Sequence, residues 1–205
     1  AEYMQSIAAT DISKIQANPE LMELAVAGGK ALFGDNCAPC HGSGAQGFKG
    51  YPNLNDDNWI WGGTLEAIQT TITHGIRWEQ DDDTRFNMMP RFLTDGILNR
   101  EEVGNVTDYV MAISGQGEMT AGAEAGAEIF AQQCVACHGE TGAGNQELGA
   151  PNLTDAIWLY GGNRSDIYES IAKARAGVMP AWGGRLSDAE IKELTLYVHT
   201  LGGGQ

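Results

Sequence analysis

The chain has 205 residues and a formal net charge of −15, because 12 lysines and arginines oppose 27 aspartates and glutamates. Such an excess of negative charge disfavours binding to nucleic acid and to anionic membrane surfaces. No apolar run reaches the roughly 18 to 20 residues that a membrane-spanning helix requires. The length is typical of two domains of about a hundred residues each.

Two helical segments are predicted before the first cysteine. Residues 1–17 carry apolar side chains at helical spacing, among them Met4, Ile7 and Ile15, which predicts a short amphipathic helix acting as a leading segment or linker. Asn18 followed by Pro19 is typical of a helix start, since asparagine caps the first turn and proline fits its first position. We therefore predict a helix over residues 20–36 that leads directly into the first cysteine.

All four cysteines lie in two copies of the motif C-x-x-C-H. This motif is typical of covalent haem attachment, in which both thiols bond to the porphyrin and the histidine binds the iron. Zinc sites and thioredoxin-like redox pairs also use C-x-x-C. However, structural zinc usually needs four ligands in one cluster, and the thioredoxin motif lies in a strand-helix context that is missing here. We predict two haem c groups, held at Cys37, Cys40 and His41 and at Cys134, Cys137 and His138.

The region between the motifs is predicted to contain a glycine-rich loop, two helices and an irregular segment. Thr64 is expected to cap the first of these helices, and residues 74–90 form the irregular segment. Asn99 and Glu102 have the spacing of a capping box at the start of the next helix. The small, glycine-rich residues 114–122 then predict a domain boundary. Ser187 is expected to cap the C-terminal helix.

The second half of the chain repeats the first, which indicates a tandem duplication. The offset between matching positions is 99 residues at Pro52 and Pro151 but 90 at Met89 and Met179, so the first copy carries nine extra residues. These fall within residues 74–88. The resulting division is an N-terminal helix or linker (1–18), a first domain (19–115), a linker (116–122) and a second domain (123–205).

A six-coordinate haem iron needs a ligand opposite each histidine, and methionine is the usual choice in cytochromes c. By its place in the repeat, Met179 is predicted to serve the haem of the second copy and Met89 the haem of the first. His74 is the alternative to Met89, because it lies in the unmatched segment and has no histidine counterpart in the second copy. Met88 is a weaker alternative.

Four further residues are predicted to surround the haems. Trp59 and Trp158 match each other in the repeat and are expected to pack near their haems, although packing in the core alone is an equal possibility. Pro52 and Pro151 are expected to offer a backbone carbonyl to the Nδ1 proton of the ligand histidine, which would fix its tautomer.

Each copy resembles a class I cytochrome c domain, with an N-terminal helix, C-x-x-C-H, a methionine loop and a C-terminal helix carrying an aromatic residue. Residues 51–65 (YPNLNDDNWIWGGTL), 73–78 (THGIRW) and 83–90 (DTRFNMMP) are similar to the dihaem subunit of cbb3-type cytochrome c oxidases, the FixP/CcoP family. This resemblance implies an all-α fold of two tandem class I cytochrome c domains, each wrapped around one haem c.

The same resemblance implies an electron relay on the periplasmic side of the bacterial inner membrane. Electrons would arrive from a soluble donor cytochrome and pass toward the catalytic haem-copper subunit, so that the oxygen chemistry takes place elsewhere in the complex. Members of the family carry a membrane anchor ahead of this region, and we expect the full-length protein to be anchored. The alternatives are a free soluble dihaem shuttle and a dihaem enzyme such as a peroxidase.

Overall fold

The computed structural model describes residues 2–202, and these form α-helices joined by loops, with isolated bridges but no strand among them. This confirms the all-α prediction. Residue 1 of the predicted leading segment and residues 203–205 of the predicted second domain lie outside the described part. Among the described residues, no helix is long and apolar enough to cross a membrane. The helices are α1 (Glu2–Ala9), α2 (Ile12–Gln16), α3 (Pro19–Asn36), α4 (Ala38–His41), α5 (Leu65–His74), α6 (Arg100–Ile113), α7 (Ala121–Gln133), α8 (Val135–His138), α9 (Arg164–Lys173) and α10 (Asp188–Leu201).

The starts of the longer helices are encoded by local caps. The Asn18 side chain accepts hydrogen bonds from the backbone N–H groups at the start of α3, with Pro19 in the first turn. Asn99 and Ser187 each form a complete capping box, at the starts of α6 and α10. Thr64 caps α5. These four predictions are confirmed, because a cap satisfies donors that the helix itself leaves unpaired.

The compact units of the chain are not its two consecutive halves. One unit contains the residues up to Phe86 together with those from Gly177 onward, and the other contains Asn87–Ala176. Phe86 and Ala176 are equivalent positions at the 90-residue offset, so the chain passes from one unit to the other at the same point in both repeats. The predicted boundaries therefore describe the sequence repeats and not the units that pack together.

The first unit is built on the crossing of α3 and α10. A Cβ atom at Gly29 would collide with the backbone carbonyl of Glu193, so only glycine permits this approach of the two helices. The rings of Phe33 and Tyr197 meet edge to face, with their centroids 5.4 Å apart. The C-terminal helix of the second repeat thus packs on the N-terminal helix of the first.

In the second unit, the equivalent residues join the C-terminal helix of the first repeat to the N-terminal helix of the second. A Cβ atom at Gly126 of α7 would collide with the backbone carbonyl of Asn105 in α6. The rings of Tyr109 and Phe130 lie 5.1 Å apart. Residues 116–122, predicted to link two domains, instead span the end of the short loop between α6 and α7 and the first two residues of α7, all within one unit.

The N-terminal segment, predicted as a helix or linker, is helical and forms part of the first unit. It forms two helices, and Ile7 and Ile15 are fully buried in one core cluster with Leu196 of α10. The Lys192 ammonium group donates to the backbone carbonyl of Ala8 at 2.8 Å. The segment docks because its apolar face covers a surface of α3 and α10 that would otherwise be exposed.

Candidate haem sites

The first C-x-x-C-H motif forms one helical turn that continues directly from α3. Cys37 is the C-cap of α3, and the His41 backbone N–H donates to the Cys37 carbonyl at 2.9 Å. The imidazole Nδ1 of His41 donates to the carbonyl oxygen of Pro52 at 3.0 Å. This contact places the proton on Nδ1 and leaves the lone pair of Nε2 for a metal ion.

The second motif repeats this geometry. Cys134 is the C-cap of α7, the His138 backbone N–H donates to its carbonyl at 2.9 Å, and the His138 Nδ1 donates to the carbonyl of Pro151 at 3.0 Å. Both histidine–proline contacts expected from the sequence are therefore present. None of the four cysteines, all of which lie in the described part of the chain, forms a disulfide.

Burial governs the protonation of both motifs. It raises the pKa of the Cys37 and Cys134 thiols to about 11, with a smaller contribution from the second cysteine of each motif. Burial also lowers the pKa of His41 and His138, against the opposing effect of the proline carbonyl. At neutral pH each imidazole is therefore uncharged. Neither thiol has the lowered pKa of a thioredoxin-like nucleophile.

Met179 lies in the first unit, where it packs against the core cluster that contains Phe33, and Cys37 and Trp59 pack against the same cluster. The ring of Phe33 is 6.5 Å from that of His41. Backbone hydrogen bonds in both directions, of 2.9 and 3.0 Å, join Met179 to Ile76. The structure thus places Met179 in the unit of the first C-x-x-C-H motif.

Met89 lies in the second unit, packed against the core cluster that includes Cys134 and Phe130, and Trp158 packs against the same cluster. On the C-terminal side of Met89, the backbone N–H of Phe92 donates to the carbonyl of Ile171 at 3.2 Å. The predicted pairing of each methionine with the motif of its own repeat is therefore corrected. The chain exchanges its methionine loops and terminal helices between repeats, so Met179 shares a core with Cys37 and Met89 with Cys134.

The two alternative ligands occupy other environments. The His74 Nδ1 lies 3.1 Å from both carboxylate oxygens of Asp81, in the first unit. Met88 is 54% exposed, whereas its neighbour Met89 is packed against the core. Neither observation favours the alternatives over Met179 and Met89.

The second site contains a polar group that a haem would satisfy. The Nε1 of Trp158 is buried and has no hydrogen-bond partner in the described part of the chain. A buried donor left unpaired costs about 1–3 kcal/mol. The indole packs against the same core as Cys134 and Met89, and Gly162 lies so close to it that a Cβ would collide with the ring. A haem in this core would supply propionate oxygens as acceptors, so the residues present fit haem c.

Sequence reasoning missed a pair of equivalent arginines, one in each unit. The Nε of Arg85 donates to the Thr71 hydroxyl at 2.8 Å, and that of Arg175 to the Ser170 hydroxyl at 3.1 Å. The Arg85 guanidinium lies 5.4 Å from the ring centroid of Trp61, and the matching distance in the second unit is 5.1 Å. The two arginines match each other at the 90-residue offset, and Thr71 matches Ser170 at the 99-residue offset. This correspondence between the repeats was visible in the sequence and could have identified the pair.

Two families match the chain, one over each repeat. Residues 26–114 match the family described as cytochrome c, and residues 121–198 match the family described as cytochrome c oxidase, cbb3-type, subunit III. Subunit CcoP of the cbb3-type cytochrome c oxidase of Cereibacter sphaeroides is 52% identical over 205 residues, which are all of this chain and 71% of that protein. Subunit FixP of Azorhizobium caulinodans is 56% identical over 200 residues, 97% of this chain and 67% of that protein.

The chain belongs to the FixP/CcoP family of cbb3-type oxidase subunits. FixP of Bradyrhizobium diazoefficiens, 50% identical over all of this chain and 70% of its own length, adds to the same result. The resemblance and the fold of two cytochrome c domains are thereby confirmed. The FixP/CcoP relationship also supports an electron-transfer subunit over a free dihaem shuttle or a dihaem enzyme. Cytochrome c domains imply haem c as the cofactor.

Proposed function

We propose that this chain binds two haem c groups with exchanged axial ligands and relays single electrons to the catalytic subunit of a cbb3-type oxidase. In the first unit, His41 and Met179 bind one iron. In the second unit, His138 and Met89 bind the other. The observation that carries this proposal is that Met179 packs against the same core cluster as Cys37, and Met89 against the cluster that contains Cys134.

The roles of the protein side chains follow from their chemistry. Cys37 with Cys40, and Cys134 with Cys137, hold the haems by thioether bonds. Bound haem c supplies the one-electron ferric–ferrous couple. A methionine thioether opposite histidine raises the reduction potential relative to a second histidine, which suits a donor to an oxidase.

Contacts around the ligands hold them in place during electron transfer. The carbonyls of Pro52 and Pro151 fix the orientation and tautomer of the two histidines. Trp158 would hold a propionate of the second haem through its buried Nε1 proton, and Trp59 would pack beside the first haem. Rigid ligands reduce the reorganisation that accompanies each change of iron charge.

The setting proposed for the chain is the periplasmic side of the bacterial inner membrane, as part of a full-length anchored subunit. Its partners are the other oxidase subunits and a soluble donor cytochrome. The net charge of −15 supports docking to a cationic surface on a redox partner, because long-range attraction raises association rates.

Single-haem variants test the exchange of ligands directly. Replacement of Cys37 and Cys40 by serine leaves covalent attachment only at the second motif. In that background we expect Met89→Ala to abolish the near-infrared and EPR signatures of His/Met ligation, while Met179→Ala retains them. The reciprocal background, with Cys134 and Cys137 replaced, should reverse the two results.

Met119→Ala is the matched control, since Met119 is 50% exposed. It should retain the His/Met signature in both backgrounds. If each methionine instead proves necessary for the haem of its own repeat, the exchange is wrong. If neither substitution changes the spectra, neither methionine is a ligand.

A further inference from the structure

A cluster of potential metal ligands lies outside both haem sites, in the first unit. His74, Asp81 and Asp83 each offer one ligand atom, and these atoms all lie within 4.8 Å of one another. The His74 Nδ1 is 3.1 Å from either oxygen of the Asp81 carboxylate. The side chains of His74 and Asp81 are only 31% and 23% exposed, so the pair is partly shielded from water.

The loop that carries the two aspartates is held in shape by its own hydrogen bonds. The backbone N–H of Asp83 donates to the Asp81 carboxylate at 2.9 Å, and that of Thr84 to the Asp81 carbonyl at 3.2 Å. The backbone N–H of Trp78 donates to the Thr84 hydroxyl at 3.1 Å. His74 itself is the last residue of α5. The ligand atoms are therefore brought together before any ion binds, which lowers the entropic cost of binding.

We propose that His74, Asp81 and Asp83 form a binding site for a divalent transition-metal ion, with Zn²⁺ as the best match. An imidazole with two carboxylates is a ligand set that zinc accepts, and two carboxylates neutralise its charge. Zinc bonds of about 2.0–2.1 Å in a tetrahedron separate ligand atoms by about 3.3 Å, close to the spacing of His74 and Asp81. The fourth position is open to water. Ca²⁺ and Mg²⁺ fit less well, because they require six or more ligands, nearly all oxygen.

The second unit shows that the cytochrome fold does not require this cluster. At the 99-residue offset the counterpart of His74 is Lys173, and the second repeat lacks the acidic segment altogether. Nevertheless α9 and its arginine anchor are built like α5 and Arg85. The ligand set is thus an addition to one repeat.

The site adjoins the backbone that holds Met179. Gly75 and Ile76 follow His74 directly. The backbone of Ile76 forms hydrogen bonds with Met179, and the backbones of Gly75 and Arg77 form hydrogen bonds with Arg85. An ion bound to the cluster would link His74, at the start of the segment 74–83, to the two aspartates at its end. Metal binding is therefore expected to raise the thermal stability of the first unit, because a ligand bound only by the folded state stabilises it.

Calorimetric titration of the chelator-treated holoprotein with Zn²⁺ tests the site. We expect one Zn²⁺ per chain, and His74→Ala, Asp81→Asn and Asp83→Asn should each weaken binding by about tenfold or more. Asp82→Asn is the matched control for charge and His199→Ala for an imidazole outside the cluster. Both should bind like the parent protein. Unchanged haem absorption spectra will show that each variant is folded.

Two results would overturn the site itself, and a third would overturn the choice of zinc. One is Zn²⁺ binding that is absent, or equal in the parent protein and in a His74→Ala/Asp81→Asn double variant, which would reduce the cluster to a histidine–aspartate ion pair. The other is equal weakening by Asp82→Asn, which would indicate diffuse attraction to the acidic loop. Tighter binding of Ca²⁺ than of Zn²⁺ would contradict the choice of metal. None of these readouts depends on which methionine binds which haem.

Discussion

The two units have the same helix crossing but reach it through very different chain connections. In the second unit the crossing helices α6 and α7 are joined by residues 114–120 alone. In the first unit the crossing helices α3 and α10 are separated by the whole of the second unit. One unit is continuous and closes through local contacts, whereas the other is discontinuous and closes only when distant parts of the chain meet. Because closing a longer loop costs more entropy, we expect the second unit to form more readily than the first.

The largest expected effect comes from cutting the chain by units or by repeats. A fragment of residues 87–176 contains the complete second unit, so it should fold and give one haem with His/Met ligation. A fragment of residues 19–115 contains the first repeat but lacks Met179 and α10, so it should not give a stable His/Met haem. Near-infrared spectra and circular dichroism of the two haem-loaded fragments will decide. A well-folded, Met89-ligated fragment 19–115 would contradict the exchange.

A smaller effect is expected from adding a methyl group at either helix crossing. Gly29→Ala and Gly126→Ala should each lower the free energy of unfolding by about 1–3 kcal/mol, because the new Cβ collides with a backbone carbonyl of the facing helix. Gly34→Ala, in α3 with open space around its Cα, is the matched control and should be neutral or stabilising.

Hydrogen exchange locates the damage in each glycine variant. Gly29→Ala should reduce amide protection in α10, and Gly126→Ala in α6. If Gly126→Ala instead reduces amide protection in α10, then α7 packs on α10 within its own sequence repeat, and the pairing of α6 with α7 is wrong.

The smallest effect concerns the dependence of stability on pH, which differs between the crossings. Glu193 is buried in the first unit and accepts a hydrogen bond from the Tyr3 hydroxyl at 2.5 Å, whereas the equivalent residue of the second unit is the neutral Asn105. Burial raises the pKa of Glu193 above its ordinary value of 4.5. The folded state therefore binds this proton more tightly than the unfolded state does. The stability that this provides is greatest below pH 4.5 and is lost as the pH rises through the folded-state pKa.

Glu193→Gln removes this titration while keeping the shape of the side chain. We expect the variant to gain stability relative to the parent protein as the pH rises above 4.5, measured by denaturant unfolding at a series of pH values. Asn105→Gln, the control at the equivalent position, should leave the pH dependence unchanged. Parallel curves for the parent protein and Glu193→Gln would show that this carboxyl does not control the stability of the first unit.

Much of the local structure was predictable because short-range chemistry determines it. Asn18, Asn99 and Ser187 begin their helices wherever the helices pack, since a cap acts on the backbone of its own first turn. The contact from His41 to Pro52 likewise spans one loop. The docking of residues 2–16 was not predictable, because their apolar spacing shows only that one face is buried and not which surface covers it.

The sequence by itself determined the two C-x-x-C-H motifs, the duplication, the family and the positions of Met89 and Met179 in matching loops. Only the tertiary structure decided which methionine and which terminal helix accompany each motif. The physical reason lies in the duplication: both repeats present a glycine and a phenylalanine on one helix and a tyrosine on the other, so either pairing buries nearly the same side chains. The short connection from α6 to α7 favours the exchanged arrangement. Its effect depends on how the chain closes in space, which repeats aligned along the sequence do not reveal.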